Sequence, residues 1–415
     1  MALGEAVDRQ NGNAPKRHRR ARRRGRAWII ASISVVVVVV GVIGGAYVYA
    51  NYQFDKIPKI TVKGEVKPIS GKPFNILMIG SDSRAGLTGL VARQTGATKG
   101  AAAGQRSDVV KIVHVDPELG TISMLSIPRD TMTTLLANQG TYGKFNRINV
   151  NFGNGPSLLA QTITANFGIP INDTIVVSFA GMINAADTIG GVYLDFPYPA
   201  RDLYSGLKIT HTGCQQITGF EALAVVRSRH YEWFENGVWN TDVTSDFGRI
   251  WRQNVFLRGM VERAKGLYNP LTINSFLSKL PQGIALDNNF SLNELIGLAV
   301  KFHSINPAAI QTITMPDAPG VYNGQDVLFV QQPEAQQALV KMFGDQLLTP
   351  TNPPPNATLA TPLPPHIAVP TTTTTTTTAH HTTTTRRVGP PATTTTTTTI
   401  PPEGDQFFDP RVCTP

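Results

Sequence analysis

Only two cysteines occur in the sequence, Cys214 and Cys413, too few for the disulfide framework of a small secreted scaffold. They could still pair, because a flexible tail can bring Cys413 back to a domain, and the sequence leaves that open. The chain has no Gly-x-x-x-x-Gly-Lys-Ser/Thr loop, no Gly-x-Gly-x-x-Gly turn and no His/Cys metal spacing. Those absences remove P-loop nucleotide, dinucleotide and zinc chemistry. A Gly-x-Ser-x-Gly elbow is missing as well, which disfavours a serine hydrolase. His114 falls in an apolar run and His211 and His230 stand alone, so none is expected to be a ligand.

Charge is scarce, at 16% of residues, and its placement is uneven. Residues 1–26 carry nine Lys/Arg against Glu5 and Asp8, so most of the net charge of +9 belongs to this tail. An arginine run can mark nucleic-acid binding, but here an uncharged stretch, Ala27 to Ala50, follows at once. As a helix those 24 residues would be ~36 Å long against a hydrocarbon core of ~30 Å. The expectation is a cytoplasmic basic tail (1–26), a transmembrane signal anchor (27–50) and no nucleic-acid partner. The basic flank places the N-terminus in the cytoplasm and everything after about Asn51 outside the cell membrane.

Residues 51–72 read as a stalk, and a globular domain is expected over 73–347. Its first strand, Phe74 to Ile79, is a continuous apolar run of the kind buried on both faces. Val109–Val115 and Thr121–Ile127, joined by Asp116-Pro117-Glu118-Leu119-Gly120, predict a hairpin. Helices are predicted over 156–167, 181–189, 219–226, 246–266, 271–280 and 292–303, with strands at 174–179, 192–196 and 310–314. The mixture implies an α/β (α+β) layered sandwich, a central mixed sheet flanked by helices, preceded by one transmembrane helix. From 348 to 415 the composition turns to Pro and Thr and predicts a disordered spacer.

Charged clusters sit where the apolar strands begin and end. Asp82 and Arg84 follow the first strand, Arg106 and Asp108 open the hairpin, and Arg129 and Asp130 close it at the same end. A second cluster comprises Arg227 and Arg229, then Asp246, Arg249, Arg252 and Gln253, of which Asp246, Arg249 and Gln253 share one helix face. Arginines interleaved with aspartates suit a phosphate-rich ligand accompanied by a divalent cation, because guanidinium forks bind phosphate oxygens and hard carboxylates bind Mg²⁺. Structural ion pairing is the bland alternative. The aromatic stretch Tyr231 to Trp239 reads as packing or, less simply, as a lid or sugar-stacking wall.

The ordered motifs Gly-Ser-Asp-Ser-Arg, Arg-Ser-Asp, Ile-Pro-Arg-Asp, Asp-Thr-Ile-Gly-Gly-Val, Arg-Ser-Arg and Ser-Asp-Phe-Gly-Arg-Ile-Trp-Arg-Gln resemble the LytR-CpsA-Psr family of bacterial cell-wall enzymes over residues 73–265. The resemblance implies a phosphotransferase that moves a glycopolymer from a polyprenyl-pyrophosphate carrier onto peptidoglycan. It implies Mg²⁺ (or Mn²⁺) held by Asp82 and Asp108, with Arg106, Arg129, Arg227, Arg229 and Arg249 on the pyrophosphate. Arg84, Arg252 and Gln253 would support substrate binding, and Asp108 or Asp246 would act as general base. The insertion at 85–105 departs from the family pattern beside the metal. A non-catalytic binder or regulator handling lipid-linked wall polymers is the alternative, and the polymer itself stays open between arabinogalactan and teichoic types.

Overall fold

The β-branched runs form the middle of a seven-stranded mixed sheet in the computed structural model, which describes residues 44–83, 107–265, 270–356, 358 and 406–414. Its strands are β1 (Lys59–Ile60), β2 (Phe74–Ser81), β3 (Ser107–Asp116), β4 (Thr121–Ile127), β5 (Asp173–Val177), β6 (Ile284–Asp287) and β7 (Gln311–Thr314). Their spatial order is β1-β6-β5-β2-β3-β4-β7. The predicted hairpin is present, with Val110 opposite Ile127 and Asp116 opposite Thr121. Strand β5 lies parallel to β2 on the other side.

Side chains alternate across a strand, so each central strand serves two layers. Leu77, Ile79, Val110, Ile112, Leu125 and Ile127 are buried on one face. There they pack with Leu159 and Ile163 of α1 (Pro156–Phe167) and with Leu339 and Phe343 of the helix Glu334–Phe343. Fully burying each such side chain contributes about 1.5–3 kcal/mol. Helix α1 ends at Gly168, whose φ of 72° is the left-handed cap that glycine adopts without a Cβ penalty.

The opposite face carries Met78, Gly80, Val109 and Lys111, with Ile175 and Val177 from β5. Helices α2 (Phe179–Thr188), α3 (Gly219–Arg227) and α4 (Asp246–Ala264) lie on this side without filling it. The strand after α2, Val192–Phe196, leaves the main sheet and pairs with Gly213–Ile217. Around it a second core gathers, including Ile217, Tyr231, Trp233 and Phe256.

One sequence expectation changes at the C-terminal end. The segment 348–415 does not end as a spacer: Arg411–Val412 forms a third strand beside Val192–Phe196, and Cys413 is disulfide-bonded to Cys214. Aromatic and paired polar residues at 406–413, Phe408 on Trp233 and Asp409 on Arg252, supply the packing. At the other end, residues 44–54 are helical, and most of the expected 27–50 span lies outside the described residues. No helix among the described residues is long and apolar enough to cross a membrane. Residues 1–56 and 57–415 form separate compact units.

Candidate functional site

The site begins with an irregularity in the sheet. Gly80 pairs with Val109 but Ser81 pairs with Ser107, so Asp108 is the extra residue of a β-bulge. Bulges re-aim side chains and are common beside active sites. A Cβ on Gly80 would come within 2.7 Å of Val109 Cβ, so glycine is what lets the two strands close around the bulge. Asp82 follows Ser81 directly, at the end of β2 and beside the end of β3 that carries Asp108.

Across the hairpin end, Arg129 Nη1 donates to Asp108 Oδ1 at 2.7 Å, and Arg129 Nε lies 3.4 Å from Asp130 Oδ2. Burial alone would lower the Arg129 pKa, but the Asp108 hydrogen bond and the charges of Asp108, Asp130 and Asp246 outweigh it and raise it. Helix α4 adds the second cluster. Asp246 Oδ1 sits 2.9 Å from Arg249 Nη2 and 3.0 Å from Arg229 Nε, and Arg249 Nη2 also donates to the Asp108 carbonyl at 3.1 Å. Arg249 is buried, and its pKa is lowered by burial, with the nearby Arg229 and Arg129 adding to the effect against Asp246 and Asp108. Gln253, one turn further, donates to the Val226 carbonyl at 3.1 Å and so ties α4 to the end of α3.

These groups stand at the wall of a cavity of about 460 Å³. Lys111, Arg129, Arg227, Arg229 and Arg249 line it against two carboxylates, Asp108 and Asp202. That excess of cations calls for an anion. Most of the remaining lining is apolar, including Met78, Ile175, Val177, Phe179, Met182, Leu223, Val226, Leu257, Met260, Phe276 and Ile284. One cavity therefore joins a cationic wall to a largely apolar one.

The predicted residues divide accordingly. Asp108, Arg129, Arg227, Arg229, Arg249 and Gln253 line the cavity, while Asp246 braces two of the arginines without lining it. Arg252 departs from its expected place in substrate binding: it is fully buried and does not line the cavity. It is paired with Asp242 at 2.9 Å and Asp409 at 2.6 Å. Arg84 and Arg106 lie outside the described residues. Ser245, the residue before α4, makes no side-chain cap bond.

Three contributors were not foreseen. Lys111, 1% exposed, donates to Ser126 Oγ at 2.7 Å and Asn254 Oδ1 at 2.6 Å on the cavity floor. A lone lysine inside Val109-Val110-Lys111-Ile112-Val113 was the available signal, since a strand buried on both faces has no solvent to offer it. Asp202 accepts from Ser205 N, Ser228 Oγ, His230 N and Tyr204 N. Burial pushes its carboxyl up, but those bonds prevail and hold it below the ordinary range. Met182 packs against the second core and is also a cavity wall. Of the aromatic stretch, Tyr231 and Trp233 are buried, whereas Phe234 and Trp239 are exposed on the hairpin of strands Glu232–Glu235 and Val238–Thr241.

The sequence pattern of the LytR_cpsA_psr family matches residues 46–343. The chain belongs to that family. Among its relatives is a polyisoprenyl-teichoic acid–peptidoglycan teichoic acid transferase, TagV of Bacillus subtilis, 27% identical over 313 residues, 72% of each chain. TagU of Bacillus cereus, which carries the same activity in its name, is 28% identical over 251 residues, 57% of this chain and 70% of its own. Solved structures share the fold. The LytR-Csp2A-Psr enzyme from Actinomyces oris superposes with a TM-score of 0.55 at 20% identity, covering 71% of this chain and 97% of its own. TagT bound to LI-WTA gives 0.50 at 19% identity, covering 69% and 99%. The LytR-CpsA-Psr resemblance read from six short motifs thus extends over most of the chain, and the transferase expectation agrees with the relatives' names.

Proposed function

We propose that the chain is a membrane-anchored phosphotransferase that moves a glycopolymer from a polyprenyl-pyrophosphate carrier onto peptidoglycan outside the cell membrane. The observation that carries this reading is the single cavity that joins four arginines to an apolar interior. A pyrophosphate bearing a long isoprenoid chain makes both demands at once, whereas a free nucleotide or sugar phosphate would leave the apolar part unused. The names of TagV and TagU, and the ligand of TagT, support the same class of substrate.

Asp82 and Asp108 suit Mg²⁺ (or Mn²⁺). Among the described residues no group of three or more His, Cys, Asp or Glu side chains could hold a metal alone. Mg²⁺ commonly takes one or two carboxylates, the number that Asp82 and Asp108 supply, and completes its shell with phosphate oxygens and water. When bound, the ion would neutralise charge building on those oxygens.

The arginines do the remaining electrostatic work. An acceptor hydroxyl attacks the phosphorus nearer the polymer, a new P–O bond forms, and the bond to polyprenyl phosphate breaks. Charge then grows on the non-bridging and leaving oxygens, where one placed arginine can contribute a factor of roughly 10³ to 10⁵. Of the two carboxylates that could take the hydroxyl proton, Asp108 lines the cavity and Asp246 does not, which favours Asp108. The test is transfer of a labelled polymer from its pyrophosphate carrier to peptidoglycan by the purified chain. Carrier binding without any transfer would favour the non-catalytic binder.

A further inference from the structure

The C-terminal segment reaches the phosphate site through one buried charge. Phe408 stacks on Trp233, with ring centroids 3.9 Å apart and planes 8° from parallel, and its carbonyl accepts from Tyr231 Oη at 3.2 Å. The strand Arg411–Val412 and the Cys413–Cys214 disulfide hold the segment on the other side. Between these anchors Asp409, 1% exposed, accepts from Arg252 Nη1 at 2.6 Å.

Arg252 is the hub. Its Nη2 donates to Asp242 Oδ2 at 2.9 Å and to the Ser228 carbonyl at 3.1 Å, and its guanidinium lies over the Tyr231 ring at 4.5 Å. Ser228 is the residue between Arg227 and Arg229, both of which line the cavity. A Cβ at Gly248 would overlap the Asp242 carboxylate and lie 2.8 Å from Arg252 Nη2, so the first turn of α4 is left open for this pairing.

We propose that Asp409 is a positioning residue for the phosphate site: it fixes Arg252, and through the Ser228 carbonyl it fixes the backbone that aims Arg227 and Arg229. This rests on the reading that those two arginines hold the carrier's pyrophosphate. The physical reason is the cost of an unbalanced buried guanidinium. With Asp409 removed, Arg252 keeps one carboxylate and must recruit water or turn toward Asp242, and either movement releases Ser228. Stability alone does not account for such a triad, since apolar replacements of buried ion pairs are often neutral or better.

The experiment compares the full-length Asp409→Asn chain with wild type and with Phe408→Ala, which loosens the same segment without touching Arg252. Amide hydrogen exchange at residues 228–230 is read first, in the absence of substrate. Faster exchange at these amides is expected in Asp409→Asn beyond that in Phe408→Ala. Kinetics with a lipid-pyrophosphate glycopolymer should then show kcat/KM down by about tenfold or more in Asp409→Asn. The Phe408→Ala loss should be several-fold smaller at a comparable or larger drop in Tm, and Asp409→Glu should restore part of the rate. Unchanged exchange at 228–230, or kinetic losses that simply follow Tm in both variants, would overturn the proposal. If wild type itself neither binds nor transfers the carrier, the function reading fails, and the exchange result still decides whether Asp409 positions the Arg227–Arg229 backbone.

Discussion

Asp108 and Arg129 are 21 positions apart in sequence and meet at 2.7 Å across the open end of the β3–β4 hairpin. Antiparallel pairing brings the start of one strand beside the finish of the next, and the bulge at Asp108 turns its carboxylate into the cavity. The pair couples the proposed metal ligand to a guanidinium proposed to hold the pyrophosphate.

Removing the carboxylates should therefore separate transfer from binding. Asp82→Ala and Asp108→Ala are expected to abolish Mg²⁺-dependent polymer transfer while retaining carrier binding, because Arg227, Arg229 and Arg249 remain. Arg129→Lys should weaken both, since an ammonium keeps the charge and loses the bidentate fork. Transfer rates with Mg²⁺ and with EDTA, beside carrier binding isotherms, check this. Full activity in the two alanine variants would remove the metal assignment.

The apolar interior makes its own prediction. Ala185 lines the cavity from α2, so Ala185→Leu places extra methyl groups where the carrier's chain would lie. Overfilling a packed space costs about 1–3 kcal/mol, which corresponds to a KM for the long-chain carrier raised roughly 5- to 150-fold. A short, water-soluble pyrophosphate analogue should bind the variant as it binds wild type. Equal losses for both ligands would place the lipid elsewhere.

The disulfide links Cys214 and Cys413, 199 positions apart in sequence. Chain-entropy arguments put its contribution at up to ~5 kcal/mol, and native disulfides typically contribute about 2–5 kcal/mol. Cys413→Ser should lower the denaturation midpoint accordingly, and truncation after residue 356 should lower it further by also removing Phe408 and Asp409. Urea unfolding of the three proteins tests the order. Identical midpoints would mean that the C-terminal segment does not bear on the domain.

Stability should also fall as pH rises. Burial, with the Asp287 charge adding and bonds from Thr174 and Asn289 opposing, pushes Glu65 up to about 7. Burial and the charges of Asp287, Glu294 and Glu65 push Asp173 up to about 7. The folded chain thus keeps protons that the unfolded chain releases near the ordinary carboxylate values. The contribution is full below about pH 4 and is lost as pH climbs through about 7. Urea midpoints between about pH 5 and 8 should decline less in Glu65→Gln than in wild type, and parallel profiles would contradict this.

What the sequence made legible follows from where its signals are local. β2, the β3–β4 hairpin and α1 are marked by continuous apolar runs, a Pro/Gly turn and a cap glycine, and each forms within a few residues of its expected ends. The cavity leaves no such mark. Met78, Ile175 and Met182 have the same apolar spacing whether they face a filled core or an empty channel, and only the placement of α2, α3 and α4 decides it. Arg249 and Arg252 are equally polar in sequence, yet helix phase sends one to the cavity wall and the other into the protein. The Asp409 partner of Arg252 lies beyond the Thr-rich tract, where composition predicts nothing folded. Phe407-Phe408-Asp409-Pro410, followed by Cys413, was the one local hint that the chain folds again.

The central claim, that one cavity holds both the pyrophosphate and the lipid of the carrier, is tested most directly by photolabelling. A polyprenyl-pyrophosphate carrying a diazirine on its second isoprene unit would be irradiated with the full chain and the adducts mapped by mass spectrometry. The account predicts labels on Phe179, Met182, Leu257 or Met260, competed by unlabelled carrier and weakened by Arg227→Lys. Labels confined to residues outside the cavity, or labels on those four that Arg227→Lys leaves unchanged, would contradict it.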